Sequence, residues 1–223
     1  MTRDTLTRDQ IVASAVRLLD DDGLDGLNMR ALGKRLESAA TAIYWHVGGK
    51  DELVSLAVDS AWCEIALADP VALGWRQAAR AMATELRSML ARHPWVLHAF
   101  GSYLTYGTGK ARYDDTNMAI YEEAGLVGVH VDQAVTTVYT FVLGHALGTA
   151  APVTLRRRLT ESHGDPEEAM RERMAQARRV AMAFPRLRAR LETPSADYAS
   201  APAHSFEFGL TAILDGLAVL IGE

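Results

Sequence analysis

Residues 28–53 read NMRALGKRLESAATAIYWHVGGKDEL, and this stretch decides the fold. It spells a short helix, a tight turn, a second short helix, a glycine break and the start of a third helix. Asn28 stands where an N-cap belongs, and Met29, Leu32 and Leu36 follow at helical spacing. Ser38 is placed to cap the second helix, and Gly48-Gly49 ends it. With Ile43 as the inward reference and 100° per residue, Ala39 and Val47 fall inward while Thr41, Tyr44 and Trp45 point away. Tyr44, Trp45 and His46 cannot all pack a core, because successive residues diverge around the helix. An outward Tyr-Trp pair fronted by Ala40 and Ala42 suits entry into a nucleic-acid groove. Small residues let a backbone approach base edges, and Thr41 brings a hydroxyl and a methyl. Arg30, Lys34, Arg35 and Lys50 flank that face, where phosphates would lie.

The run YWHVGGKDEL resembles the recognition-helix signature of the tetracycline-repressor (TetR) family of bacterial transcription regulators. The shared pattern is an aromatic pair, His, an apolar residue, two loop residues, Lys and an acidic-Leu helix start. The resemblance implies operator contacts by Arg30, Ala40, Thr41, Ala42, Tyr44, Trp45, His46 and Lys50, with double-stranded operator DNA as the partner. One departure stands out. Where the family usually has Gly-Val in the turn, this chain has Glu37-Ser38, so the Glu37 carboxylate must point away or discriminate against wrong sites. The similarity is close over about residues 6–67 and architectural beyond them.

Composition is consistent with this. At 223 residues, with 49% hydrophobic and 23% charged residues, the chain is an ordinary globular one with room for a sizeable core. The net charge of −5 hides a local balance. Residues 1–50 carry seven Lys/Arg and seven Asp/Glu, but 28–50 holds four of the bases and only one acid, Glu37. A positive reading face on a near-neutral domain follows. The single cysteine, Cys63, excludes an intrachain disulfide, and its apolar helical surroundings predict a buried, inert thiol. No charged, apolar leader opens the chain, which predicts a cytoplasmic protein.

The expected fold class is all-α: a three-helix helix-turn-helix DNA-binding domain over 1–50, a linking helix over 50–68, and a larger helical ligand-binding and dimerisation domain over 69–223. Thr7-x-x-Gln10 forms a capping-box pattern for the first helix, which Gly23 stops. Residues 1–6, including Arg3, read as a polar arm. Further helices are expected over about 73–92, 95–103, 110–124 and 167–184, with a charged loop at 156–166 and an irregular connection at 185–202. Between Gln133 and Leu155 there is no Asp, Glu, Lys or Arg. A helix apolar on all sides is buried or in lipid, and Thr136, Thr137, Thr140 and His145 dilute this one too much for a membrane span. Burial on two faces fits, one against its own chain and one against a partner. The last helix, about 203–221, repeats the pattern. The resemblance implies a homodimer through helices of about 131–151 and 203–221.

A second cluster is aromatic. Met82, Leu86, Phe100, Tyr103, Tyr106, Tyr113, Tyr121, Tyr139 and His145 fall on helices that would border one cavity, suited to a flat, mostly apolar small molecule. Ordinary core packing is the competing reading for each residue taken singly. As a set in a family that binds inducers, they point to a small-molecule inducer site. His93 and His98 lack metal-ligand spacing, so no metal or cofactor is expected. No nucleophile motif or phosphate loop appears, and Asp114-Asp115 and Glu122-Glu123 read as solvated helix faces, so no catalytic residues are assigned. The function expected is a ligand-released repressor. The alternative is a helical ligand carrier or enzyme whose N-terminal domain no longer binds DNA.

Overall fold

In the computed structural model, the described residues are 6–161, 165–193 and 201–222, with side chains at 151–161, 166 and 201–204 excepted. Arg3 therefore lies outside the described residues. The elements are α1 (Arg8–Gly26), α2 (Met29–Arg35), α3 (Ala40–Val47), α4 (Lys50–Cys63), α5 (Pro70–Leu73), α6 (Trp75–Arg92), α7 (Trp95–Ala99), α8 (Thr108–Glu123), α9 (Val129–Glu161), α10 (Pro166–Met182), α11 (Pro185–Leu191) and α12 (Ala201–Ile221). No strand occurs among the described residues.

The head is built as its residues dictate. Thr7 and Gln10 close a reciprocal capping box at the start of α1, and Gly23 breaks the helix at φ 70. Asn28 Oδ1 accepts from the Ala31 amide at 2.8 Å, capping α2. Ile11, Ala15 and Leu19 of α1, Leu27, Leu32, Ile43, Val47 and Leu53 make a core that water does not reach. Lys50 Nζ donates to the Leu24 carbonyl at 3.0 Å, tying the start of α4 to the end of α1.

The α2–α3 turn differs in detail from expectation. Ser38 does not cap α3. Its amide donates to the Gly33 carbonyl at 2.9 Å, and the N-cap is Ala39, which has no side-chain acceptor. Ala39 is exposed rather than inward, since an extended N-cap (φ −68, ψ 139) is off the helical wheel. Glu37 takes φ 50, the left-handed region that glycine accepts most readily. Such a residue costs about 1–2 kcal/mol. Gly33 permits the closure, because a Cβ there would stand 2.7 Å from the Ser38 carbonyl oxygen.

α4 is shorter than the 50–68 expected and ends at Cys63, with Asp69 capping the one-turn α5 before α6. Its inward residues include Val54, Val58 and Trp62 as well as Leu53, Ala57 and Ala61. Cys63 is exposed, not buried, because the inward stripe passes through its neighbour Trp62. Partial burial and the Asp59 carboxylate push its thiol up, against the pull of Arg112. A polar joint fixes α1 to the body: buried His93 sets Nδ1 2.7 Å from Asp20 and Nε2 3.1 Å from Glu64, and Trp95 Nε1 donates to Asp20 at 2.7 Å.

The apolar helix runs on to Glu161, so residues 156–161 are helical rather than loop. Similarly, 185–191 form α11 where an irregular connection was expected, and 194–200 lie outside the described residues. α9 packs against α6, α8 and α12. No described helix is long and apolar enough to cross a membrane.

Candidate nucleic-acid interface and ligand cleft

α3 presents two opposite sides. Ile43 and Val47 are sealed into the head, while Thr41 and His46 are exposed, Tyr44 is 48% exposed and Trp45 is 91% exposed. Ala40 and Ala42 are half-buried shoulders beside them. Gly48, at φ 69, ends the helix within two turns, so the rod stays short enough to enter a groove end-on. The flanking cations divide into two kinds. Arg30 and Lys34 are exposed and make no ion pair or side-chain hydrogen bond among the described residues. Arg35 is tied to Asp21 at 2.5 Å, and the half-buried Lys50 holds the Leu24 carbonyl. The two free to meet phosphates in this conformation are therefore Arg30 and Lys34.

The aromatic set divides as well. A cleft of about 680 Å³ opens between α8 and α9, and of the nine residues singled out from sequence only Tyr106 and Tyr139 line it. Phe100 and Tyr113 pack behind it at a tilt to buried Trp62, with ring centroids 6.2 and 5.0 Å away. Met82, Leu86 and Tyr121 are fully buried in the body core. Tyr103 packs half-buried against that core, and His145 meets the Phe206 ring at 5.0 Å, away from the cleft. The nine do not share one wall, because helical spacing selects inward positions without saying which interior gap they face. Burial drives the Tyr113 and Tyr121 phenols far above their ordinary range and Tyr139 up to about 12, with Asp114 adding to Tyr139. Two buried polar groups, Trp62 Nε1 and the Tyr121 hydroxyl, have no hydrogen-bond partner among the described residues.

The cleft also contains what sequence reading missed. Lys110 projects into it, ion-paired with Asp114, its ammonium 4.9 Å from the Tyr139 ring and 5.2 Å from that of Trp62. Asp114 and Asp115, read from sequence as a solvated face, line the cleft with Asp132. The available signal was the Lys110–Asp114 spacing of four on one helix face.

One contact links cleft and head. The N-cap of α8, Gly107, has no side chain, and Asp59 of α4 serves instead: its Oδ1 accepts from the Gly109 amide at 2.7 Å. A Cβ on Gly109 would stand 2.7 Å from the Asp59 carbonyl oxygen and 2.8 Å from Trp62 Cβ, so glycine is what lets α8 touch α4. Ser55 Oγ, one turn earlier on α4, donates to the Leu104 carbonyl at 3.3 Å. Tyr106 and Lys110 flank this junction.

Known proteins place these two sites in context. The family description "Bacterial regulatory proteins, tetR family" matches residues 11–57, and "Tetracyclin repressor-like, C-terminal domain" matches residues 69–221. The chain is 30% identical over 225 residues to the HTH-type transcriptional repressor DrrR1 of Streptomyces coeruleorubidus, covering 98% of this chain and 80% of that one. It is 36% identical over 143 residues to an HTH-type transcriptional regulator of Saccharopolyspora erythraea, a match spanning 64% of this chain and 61% of the relative. Among solved structures, the Streptomyces coelicolor TetR family protein ActR in complex with actinorhodin superposes with a TM-score of 0.74 at 27% identity, over 99% of each chain. These relatives are named as regulators and not as enzymes. The head and the larger helical body together make this chain a member of the tetracycline-repressor family of DNA-binding transcription regulators.

Proposed function

We propose that the protein is a repressor that binds a near-palindromic operator as a homodimer and is released by a small, largely aromatic ligand. The observation that carries the DNA half is the exposed side of α3, where Trp45 stands 91% exposed beside Thr41, Tyr44 and His46. A ring so large is left in water at a cost, and a groove or a phosphate backbone removes it. Thr41, Tyr44, Trp45 and His46 meet bases and sugar-phosphate, Ala40 and Ala42 allow the approach, and Arg30 takes a phosphate. Lys50 supports the site through Leu24. Two reading helices on one side of a duplex require a spacing of roughly 34–36 Å.

The dimer that sets this spacing uses α9 and α12. Leu147 and Gly148 on α9, with Phe208, Val219 and Leu220 on α12, are exposed, and a Cβ on Gly144, Gly148 or Gly216 would meet open space. Apolar and small residues on two adjacent helices favour close packing against a second copy.

The effector site is the cleft of Tyr106 and Tyr139, whose volume suits a drug-sized molecule. That ActR is seen in complex with actinorhodin supports a small-molecule ligand for this related fold. A ligand seated against Tyr106 and Lys110 bears on the first turn of α8, which Asp59 grips from α4. α4 follows the reading helix after two glycines, so a shift there resets the reading heads. Coupling of about 1–3 kcal/mol is typical. Gel shifts with genomic fragments at moderate salt test the proposal. Sequence-selective retention is expected, and its absence would favour a ligand carrier with a silent head.

A further inference from the structure

The charges of the cleft say which ligands it prefers. Five ionisable side chains of fixed sign line it: Lys110 and Arg112 against Asp114, Asp115 and Asp132. Lys110 and Asp114 neutralise each other. That leaves Asp115 and Asp132, both exposed and without an ion-pair partner among the described residues, against Arg112, whose charge is also felt at Cys63 on α4. The excess is one negative charge, at the open side.

The inner end is occupied by the protein's own cation. The Lys110 ammonium sits among four rings, 4.9 Å from Tyr139, 5.2 Å from Trp62, and 5.9 Å from both Tyr106 and Tyr113. Aromatic faces are the negative side of the ring quadrupole, and here they already hold the protein's own ammonium, so the inner end offers ring surface rather than a second cation site. An anionic ligand would meet a wall with an excess of one negative charge, carried by the exposed Asp115 and Asp132.

We propose that the cleft between α8 and α9 selects flat aromatic molecules bearing a protonated amine, with the rings against Tyr106 and Tyr139 and the ammonium taken by Asp115 and Asp132. The inference rests on the reading of this cleft as the effector site. Three anthracenes of one shape and different charge test it: 9-(aminomethyl)anthracene, 9-anthracenemethanol and 9-anthracenecarboxylate. Their binding to the full chain is read by fluorescence anisotropy. The amine is expected to bind about ten-fold tighter than the alcohol, and the carboxylate weakest. The amine's advantage shrinks as salt is raised. Replacing both Asp115→Asn and Asp132→Asn removes that advantage and leaves the alcohol unchanged, and both positions are exposed enough for the variant to fold.

Equal binding of amine and alcohol, or tighter binding of the carboxylate, overturns the charge assignment while the effector cleft stands. An amine preference that survives the double substitution overturns the two carboxylates as its source. Failure of all three anthracenes to bind overturns the effector-site reading and this inference with it.

Discussion

Lys50 and Arg30 are both cations beside the reading helix, yet their surroundings give them different work. Lys50 donates a charged hydrogen bond to a half-buried loop carbonyl, an interaction worth about 1.5–3 kcal/mol. Lys50→Ala is therefore expected to lower the unfolding free energy by about 1–2 kcal/mol in urea titrations. Arg30→Ala should leave stability within about 0.5 kcal/mol and reduce the salt slope of DNA binding by about 1. Identical stability of the two variants would return Lys50 to the phosphate contacts. The phenols of the body give a second residue-scale expectation. Tyr139 titrates near 10.0 when unfolded and near 12 when folded, because burial and Asp114 disfavour the phenolate. A folded value raised above the unfolded one gives stability that is whole below pH about 10 and lost as pH climbs towards 12. Each such phenol contributes a slope of up to about 1.4 kcal/mol per pH unit. Tyr139→Phe should make the alkaline loss of stability, followed by circular dichroism, shallower.

At the scale of elements, the contact of α8 with α4 depends on a missing side chain. Gly109→Ala puts a methyl 2.7–2.9 Å from the Asp59 carbonyl, Trp62 Cβ and the Cys63 amide, two of which are backbone atoms of α4. The first turn of α8 must back away, giving up the Asp59 cap. The expected loss is about 1–3 kcal/mol of stability, together with altered operator affinity in the absence of any ligand. Thermal melts and gel shifts on the same variant check both, and unchanged DNA binding would uncouple this junction from the head. The α2–α3 turn is a smaller case of the same rule. Gly33 makes room for the Ser38 carbonyl, while Glu37 accepts a left-handed backbone that its side chain disfavours.

For the whole molecule, the dimer proposed above asks α12 to serve two interfaces at once. Phe206, Leu210 and Leu214 are fully buried within the subunit, so substituting them reports on folding. Phe208, Val219 and Leu220 are more than 70% exposed on the other side. Phe208→Asp with Leu220→Asp is expected to give a folded monomer by light scattering, with sequence-selective DNA binding lost because one head cannot span two half-sites. Leu214→Ala should instead cost about 2–5 kcal/mol while leaving the surviving fold dimeric. A dimeric double-Asp variant would move the interface off this face. The His93 joint with Asp20 and Glu64 adds that the end of α1 and the end of α4 are both fastened to the body at one buried imidazole.

Much of this was legible in the residues themselves. Local patterns carry local structure: Thr7 with Gln10, Asn28, Gly48 and the Ile43/Val47 stripe each act within one or two turns, so the head and the outward face of α3 follow from spacing alone. The charge-free run from Gln133 to Leu155 likewise announced a helix, whose Val138, Val142 and Ala146 are buried within the subunit while Thr136, Thr140 and Leu147 are exposed. What spacing could not supply was where inward faces converge. Nine residues read as one pocket became a cleft with two of them, because periodicity finds the buried side of a helix but not the neighbour across from it. The neighbours of Cys63, Lys50 and Asp114 were hidden for the same reason. Their surroundings are made by α8, the α1 loop and α9, which come from other parts of the chain, and only packing brings them within hydrogen-bonding reach.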